Sequence, residues 1–334
     1  MTVLTSPGAL APEQNFASFS RTLDRQISIA HWQLRDLVSC SRDGDALYTV
    51  FGPQTFKHDI ASDTSQPVQN LVFKPVSMAC NEGYIAVGGQ HQELEVMQLS
   101  SSTTIFKDSC GHSVNNALHI SRDLSGEPRL FVSNNDKSVR VFSLPRMALI
   151  DHIQALPAAV NYSALSPDAR HLAFVGDCDH TFIYAATPTG HRRLRVFAEA
   201  RDCGMCCSWN AAGSCLAAAA QDGSLCVWDV RSHKLVAKYS AQAPLRAVKF
   251  SSGPVDLLAF TEHTCNAHLV DSRMYGSHQM LQLQQSAFPD MEINISGVAF
   301  NPMGSRLYIG TEHGINELAV DTVLRRSFKQ GCII

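Results

Sequence analysis

Short apolar stretches separated by polar turn residues recur along the chain, in the pattern of β-strands rather than of helices. The stretch QDGSLCVWDV, residues 221–230, shows the unit. Its Asp222-Gly223 pair tolerates the positive φ angles of a tight hairpin turn, so the chain on either side is expected to pair antiparallel. Residues 225–228 follow with no polar alternation, and a strand that is apolar on both faces must be covered on both. The pattern therefore predicts a hairpin with other sheets packed against each of its faces.

The same order of strand, turn, strand, turn and strand recurs, most clearly from Leu165, Trp209 and Phe300. A polar residue in the first turn marks the register of seven copies, at Ser41, Asn81, Ser121, Ser166, Asn210, Ser251 and Asn301. Successive marks lie 40, 40, 45, 44, 41 and 50 residues apart. A period of about 40 to 45 residues matches the four-stranded blade of a β-propeller. We therefore predict an all-β fold, a single propeller of seven four-stranded blades. Six blades are the alternative, because the first two copies match the repeat pattern only weakly.

The repeat also predicts the domain organisation. Residues 28–328 are assigned to the propeller, residues 1–27 to an irregular N-terminal segment and residues 329–334 to a C-terminal tail. The stretch NFASFS in the N-terminal segment is a candidate for the strand that completes the last blade and closes the ring.

Composition narrows the function classes. The chain has 334 residues, 45% of them hydrophobic and 17% charged, with a net charge of -3 and dispersed basic residues. Such a chain can bury a core and has no electrostatic footprint for nucleic acid. No apolar run approaches the roughly 20 residues that cross a bilayer. We expect an intracellular protein, cytoplasmic with the nucleus as a second compartment, whose partners are neither nucleic acid nor membrane.

Candidate chemistry is sparse. Cys203, Cys206 and Cys207 form the densest of the cysteine groups, but a structural zinc needs matched clusters and no second Cys-x-x-Cys exists. The cysteines mostly lie in apolar runs, as reduced buried thiols do. The fourteen histidines accompany no catalytic or phosphate-binding motif. We therefore expect no enzymatic activity, no metal and no cofactor.

The Trp228-Asp229 dipeptide, with Asp222-Gly223 before it, resembles the WD40 family, and the resemblance extends from about residue 28 to residue 328. Only one repeat carries the dipeptide. Ala218 stands at the serine position of the family's hydrogen-bonded tetrad, so that network is expected to be incomplete. The resemblance implies structural roles for Asp136, Asp222, Gly223, Trp228 and Asp229.

A narrower resemblance is carried by the stretches GYIAVGGQHQEL, SNNDKSVRVFSLP, VNYSALSPDARHL and SGVAFNPMGSRLYIGTEHGI. They look like segments of a fungal group of largely uncharacterised WD-repeat proteins, one branch of which is similar to substrate receptors of the GID ubiquitin ligase. This resemblance implies ubiquitin ligase subunits as partners.

In a WD40-like register, the loops leading into the first strands and the turns after the second strands emerge on one face. The loops contribute Lys74, Asn115, Asn161, Asp202, Arg246, Glu292 and Asn294. The turns contribute Gln90, Asn135, Asp177, Gln221, Glu262 and Glu312. Such a ring of polar and acidic groups is suited to a peptide, since carboxylates make charge-assisted bonds to an amine or a basic side chain. Each residue alone is equally well explained as part of a solvated loop.

The longest interval between marks predicts a projecting loop over residues 284–292, with Phe288 and Met291 as apolar contacts. The alternative is that Phe288 packs beneath its blade.

The sequence thus predicts a rigid, non-enzymatic platform for proteins or peptides. Its sharper form is a receptor that grips a degron at the channel mouth for a ubiquitin ligase. The alternatives are a scaffold that joins two proteins through its blade sides and the 284–292 loop, and an enzyme that uses the central channel.

Overall fold

The computed structural model describes residues 3–4, 15–154, 156–187, 190–283 and 292–323. In these residues the chain forms seven separate β-sheets, each built around four antiparallel strands. The first strands of neighbouring sheets contact one another around a closed ring, so they line a central channel. The predicted all-β propeller with seven blades is confirmed, and the six-bladed alternative is excluded.

The strands are numbered in chain order. Two strands precede blade 1 in the chain, namely β1 (Val3–Leu4) and β2 (Ala17–Leu23). Blade 1 contains β3 (Val38–Cys40), β4 (Ala46–Phe51), β5 (Gln54–Asp59) and β6 (Thr64–Asn70). Blade 2 contains β7 (Ser77–Asn81), β8 (Tyr84–Gly88), β9 (Glu93–Gln98) and β10 (Thr103–Ser109). Blade 3 contains β11 (Asn115–Arg122), β12 (Pro128–Asn134), β13 (Ser138–Ser143) and β14 (Leu149–Ile153).

The second half of the ring follows the same plan. Blade 4 contains β15 (Val160–Leu165), β16 (His171–Gly176), β17 (Cys178–Thr187) and β18 (Gly190–Phe197). Blade 5 contains β19 (Gly204–Trp209), β20 (Cys215–Ala220), β21 (Ser224–Asp229) and β22 (Lys234–Ser240). Blade 6 contains β23 (Leu245–Phe250), β24 (Leu257–Glu262), β25 (Asn266–Asp271) and β26 (His278–Gln282). Blade 7 contains β27 (Ile295–Phe300), β28 (Arg306–Thr311) and β29 (Ile315–Val320).

The fourth strand of blade 7 comes from the other end of the chain. β2 pairs antiparallel with β29, with Ala17 opposite Val320 and Leu23 opposite Ile315. β2 contains most of the NFASFS stretch and lies before residue 28, so blade 7 draws on the predicted N-terminal segment. β1 adds a fifth, parallel strand to the outer edge of blade 5. The domain boundaries drawn from the sequence stay predictions.

The hairpin that revealed the repeat is formed by β20 and β21. Gly223 has a φ of 78°, which an L side chain rarely adopts, and the Asp222 carboxylate accepts hydrogen bonds from the backbone and hydroxyl of Ser224. Residues 225–228 are buried in a cluster with apolar side chains of blades 4 and 6. Both faces of the strand are therefore covered, as its lack of polar alternation predicts.

Trp228 packs within this cluster. Its ring stacks on Phe197 with centroids 4.8 Å apart, and its indole Nε1 donates to a carboxylate oxygen of Glu199 at 2.8 Å. Because Ala218 offers no hydroxyl, the indole takes its acceptor from the loop that leads into blade 5. Asp229 accepts from the backbone N–H groups of residues 231 and 232 and so shapes the next turn.

Blade 3 keeps a fuller polar network around Asp136. Its carboxylate accepts hydrogen bonds from the backbone of His112, the hydroxyl of Ser138 and the guanidinium of Arg140.

No helix in the described part of the chain is long and apolar enough to cross a bilayer.

Ring closure generates a stability prediction. The buried Gln279 of blade 6 accepts from the backbone N–H groups of Phe16 and Ala17 at 2.7 and 2.9 Å and donates to the Ala17 carbonyl at 2.8 Å. Since each such bond contributes about 1 kcal/mol, Gln279→Ala is expected to lower the free energy of unfolding by about 2 to 3 kcal/mol in urea denaturation.

The matched control is Gln282→Ala, on the exposed end of the same strand, which should change stability little. Equal effects of the two substitutions would contradict a special role for Gln279 in closing the ring.

Candidate functional site at the mouth of the central channel

The channel mouth is the end of the channel where the loops leading into the first strands meet the turns after the second strands. In five blades the first strand carries a β-bulge at the same register position near this mouth. The residues skipped in the pairing are Asn116, Asn161, Met205, Arg246 and Ser296. A bulge re-aims its side chain, so these five residues form a ring at the mouth.

Two members of this ring tie neighbouring blades together. The amide nitrogen of Asn116 donates to the carbonyl of Val160 in blade 4 at 3.0 Å. Asn161 repeats the contact one blade further on, donating to the carbonyl of Gly204 at 3.0 Å and to Asp177 at 2.8 Å. In blades 3 and 4 the bulge residues therefore hold neighbouring blades together, which is a structural role.

Arg246 places a cation at the equivalent position in blade 6. It is only 6% exposed, and its Nη1 donates to the amide oxygen of Gln221 in blade 5. Its Nε is buried without a hydrogen-bond partner. Within the residues that the structure describes, Arg246 forms no ion pair with a carboxylate.

A second buried arginine reaches the same mouth from the loop between β2 and β3. This loop, residues 24–37, is held by a hydrogen bond from Ser28 to the Val50 carbonyl and by one from Gln90 to the Ala30 carbonyl. Arg35 lies near its end and is 6% exposed. Its Nη1 donates to the carbonyls of His31 and Leu34, and its Nε has no partner.

The two arginines act on one another electrostatically. The pKa of Arg35 is lowered to about 10, by burial first and by the charge of Arg246 second, while Glu312 opposes the decrease. Burial lowers the pKa of Arg246 as well. The pKa values of His31 and His263 are also lowered by burial and by these arginines. The centre of the mouth is therefore cationic rather than acidic.

The carboxylates predicted for this face lie around that centre. Glu312 accepts from the backbone N–H and the side-chain amide of Asn294 at 3.0 and 3.1 Å. Asp177 is exposed and accepts from Asn161. Asp202 is exposed, and its carboxylate accepts from the backbone of the next residue.

Glu262 departs from its predicted position on the rim. It is 4% exposed and turns into blade 6, where its carboxylate contacts His268 at 3.2 Å and Asn266 at 3.0 Å. His268 in turn hydrogen-bonds to His278 at 2.9 Å. Glu262 is thus the end of a buried polar chain across three strands, and its carboxylate is not offered to a ligand.

The other predicted residues are dispersed. Asn115 is fully buried and donates to the carbonyls of Gln92 and Glu93, so it fixes the turn of blade 2. Lys74 and Glu292 are exposed. The remaining turn residues, Gln90 and Asn135, are exposed too. Phe288 and Met291 lie outside the described residues, as does most of the predicted 284–292 loop.

Sequence reasoning missed Arg35, because the loop that carries it has no repeat pattern. The register gave a signal only for the neighbouring residue: Asp36 precedes the mark Ser41 by five residues, as Arg246 precedes Ser251, which places this segment at the level of Arg246 without singling out Arg35. Trp32, in the same loop, had no assigned role. It is 67% exposed, and its ring stacks on that of His31.

Below the mouth, three charged or polar side chains from three blades meet inside the channel. The Tyr162 hydroxyl donates to Asp36 at 2.7 Å, and the Lys249 ammonium donates to Asp36 at 3.1 Å and to the Tyr162 oxygen at 2.5 Å. Burial opposes the charged form of Lys249, but Asp36 and Tyr162 outweigh it and hold the lysine pKa well above its usual value. We call Asp36, Tyr162 and Lys249 the channel triad.

A cavity of about 450 Å³ lies on the other side of the channel triad. Its walls are the far ends of the first strands, including Ser39, Cys80, His119 and Phe300. The channel triad forms its inner end, so it stands between this cavity and the mouth.

The cysteine group of blade 5 is buried structure. The Cys206 thiol lies 3.6 Å from the Val248 carbonyl, and burial raises its pKa to about 11. Burial also raises the pKa of Cys207 well above its usual value. Among the described residues no group of three or more His, Cys, Asp or Glu side chains is arranged to hold a metal ion.

Comparisons with known proteins agree with this architecture. The family profile described as WD domain, G-beta repeat, matches residues 189–229, and one described as an uncharacterised protein domain (DUF2415) matches residues 244–282. An uncharacterised protein of Schizosaccharomyces pombe is 29% identical over 315 residues, which cover 89% of this chain and 90% of that protein. A chain of a structure described as the crystal structure of mitotic checkpoint complex superposes with a TM-score of 0.77 at 14% identity, covering 95% of this chain and 98% of that one.

These findings define the class of protein. The chain is a seven-bladed β-propeller with a WD40 repeat, a fold that is typically a protein-interaction platform and is generally not enzymatic. The similarity to receptors of a ubiquitin ligase stays a prediction.

The channel triad generates a prediction. Asp36→Asn leaves the Lys249 ammonium inside the channel without a counter-charge, and removal of one partner of such a pair costs about 3 kcal/mol. We expect the free energy of unfolding to fall by about that amount in urea denaturation. The double variant Asp36→Asn/Lys249→Met should recover most of the loss, since it removes both charges; a further loss would show that the pair is not the cause.

The buried histidines predict a pH dependence. The pKa of His278 is lowered to about 4, mainly by burial and also by the charge of His268. Because the unfolded chain has the ordinary value of about 6.5, the unfolded state takes up this proton first. The free energy of unfolding should therefore fall as pH decreases from about 6.5 to about 4.

Thermal unfolding across this range measures the effect. His278→Gln should show a smaller pH slope than the wild type, whereas His91→Gln, at an exposed position, should keep the wild-type slope. Identical slopes in all three proteins would disprove the assignment.

Proposed function

We propose that this protein is a non-enzymatic receptor that binds a segment of another protein at the channel mouth. The observation that carries the proposal is a concentration of buried polar atoms without hydrogen-bond partners. Within the described residues five of eleven such atoms come from the loops and strand ends of the mouth, namely Arg35 Nε, Arg246 Nε, His263 Nδ1, Ser296 Oγ and His313 Nε2. Of these, His313 Nε2 lies 3.8 Å from a carboxylate oxygen of Glu312. Each such atom costs about 1 to 3 kcal/mol, and folded proteins retain few of them without a reason. A ligand that supplies polar groups would offset this cost.

The shape of the channel supports binding at one end. A ligand that enters from the mouth meets the channel triad, which joins blades 1, 4 and 6 beneath it. The walls of the mouth are first strands held by neighbouring blades. Such rigid walls lose little conformational entropy when a ligand docks.

An aromatic anchor stands beside the polar centre. Trp32 is exposed and makes no side-chain hydrogen bond within the described chain, and it belongs to the loop that carries Arg35. Tryptophan and arginine are the residues that most often dominate binding energy in protein interfaces. Their proximity along one loop favours a peptide or protein ligand over a small polar metabolite.

A ubiquitin ligase is the proposed context for this receptor. Support comes from the narrower resemblance of four stretches of the chain to a fungal group related to ligase substrate receptors. In that context the segment bound at the mouth is a degron, and a different surface of the propeller contacts the ligase.

A scaffold function is the second candidate, and one observation favours it. A groove of about 580 Å³ runs between blades 1 and 2 beside the mouth, lined in part by Ile29, Val72 and Phe73. Val72 is 82% exposed. A groove with exposed apolar side chains in its wall is suited to a stable partner that does not enter the channel.

Affinity purification from the native cell separates the two candidates. The mouth variant is Trp32→Ala/Asp202→Ala, at two exposed positions. The matched control is Met303→Ala/Asp43→Ala, which alters one apolar and one acidic exposed residue at the opposite end of the channel. We expect a set of proteins to be recovered with the wild type and the control but lost from the mouth variant.

Ligase subunits recovered with all three baits would support the ligase context. If all three baits return the same partners with nothing lost, the mouth does not bind them and the scaffold function is the correct one.

A further inference from the structure

We propose that the group bound at the centre of the mouth is a carboxylate of the ligand peptide, held between Arg35 and Arg246. This inference rests on the proposed receptor function. It differs from the expectation that the sequence raised, in which acidic residues of the rim would bind an amine or a basic side chain.

Both arginines are buried, and within the described residues neither guanidinium group forms an ion pair with a carboxylate. Arg35 is bonded to two backbone carbonyls and Arg246 to a side-chain amide oxygen, all of them neutral acceptors. Buried arginine is ordinarily paired with an acid, since an unpaired charge is costly to desolvate. In the part of the chain that the structure describes, the Nη2 atom of neither arginine makes a hydrogen bond. Together with the two unpartnered Nε atoms, they are the donors that remain for a ligand.

Glu312, the one acidic side chain that opposes the lowering of the Arg35 pKa, already accepts hydrogen bonds from another residue. Glu312 uses one carboxylate oxygen to accept from both the backbone and the amide of Asn294. It acts on Arg35 through its charge without forming an ion pair with it. The positive charge of the two arginines is therefore only partly compensated by the protein.

The charge count favours a carboxylate over a phosphate. The charges that act on one another at Arg35 are those of Arg35, Arg246 and Glu312, which leave a single net positive charge there; one carboxylate neutralises it and a dianionic phosphate exceeds it. The planar guanidinium also matches the planar carboxylate in geometry, with parallel N–H to oxygen bonds. The carboxylate has two sources in a peptide, the C-terminus and the side chain of Asp or Glu.

Peptide libraries test the inference on the intact chain. All share random neutral positions and differ in one group: a free C-terminal carboxylate, a C-terminal amide with one fixed Glu, the same amide with Gln in place of Glu, and the same amide with phosphoserine. Retention on the immobilised protein is measured by mass spectrometry. We expect at least one carboxylate library to be retained about ten-fold or more above the Gln library, as for a charge-assisted bond.

The variant is Arg246→Gln, and the matched control is Arg231→Gln, at an exposed position in a turn of blade 5. Arg246→Gln should abolish the preference for the carboxylate, whereas Arg231→Gln should keep it. Thermal unfolding supplies a readout that a structural role would not give: removal of a repelled, unpaired charge should leave the melting temperature unchanged or raise it. If Arg246→Gln does not fold, Arg246→Lys serves instead and should reduce the preference, because lysine lacks the planar fork.

The outcomes separate the inference from the receptor function. Retention of the free acid alone assigns the C-terminus, retention of the Glu library alone assigns a side chain, and either result supports the proposal. Equal retention of the Gln library, stronger retention of the phosphoserine library, or an unchanged preference in Arg246→Gln would overturn the carboxylate while leaving the receptor function in place. No retention of any library by the wild type would contradict the receptor function itself.

Discussion

Seven twisted sheets form a closed ring only if the last sheet joins the first, and here that closure depends on the pairing of β2 with β29. An open propeller would leave β29 as an unpaired edge. The pairing has a second consequence. β2 is the outer strand of blade 7 and β3 is the inner strand of blade 1, so the chain between them must cross the face of the ring. That crossing brings Trp32, Arg35 and Asp36 to the channel.

The channel contains two arrangements of charge built from the same two segments. Asp36 and Lys249 compensate one another, and the tyrosine hydroxyl satisfies both. The charges of Arg35 and Arg246, which lie near these residues in the chain, instead repel one another. Asp36 supplies a full counter-charge to Lys249, whereas Arg35 and Arg246 above it form no ion pair within the described residues and are only partly compensated by Glu312. Such local departures from charge pairing are expected at functional sites, where binding of a ligand offsets the cost.

The blades also show that a repeat keeps its four-stranded fold when the residues of its characteristic hydrogen-bonded network are replaced. Blade 5 lacks the tetrad serine, and Trp228 takes Glu199 as its acceptor. Blade 6 replaces the pattern with the chain of Glu262, His268 and His278, in which Phe260 stacks on both histidine rings. Burial of apolar side chains between neighbouring blades is common to all of them, which is why the ring tolerates different polar networks inside each blade.

The blades follow from the sequence alone, because strand, turn and strand are local patterns and their period can be read at seven marks. The sequence also placed Arg246 and Asn161 near one face, since a shared register puts equivalent residues at one level of the ring. It could not show that Glu262 turns inward, because the choice depends on His268 in the neighbouring strand of the sheet. Nor could it show that the charges of Arg35 and Arg246 act on one another, because these residues are far apart in the sequence and reach the same mouth only once the ring is closed. The sign of the charge at the centre of the mouth emerges only in the folded chain, because it depends on which charged side chains find partners there.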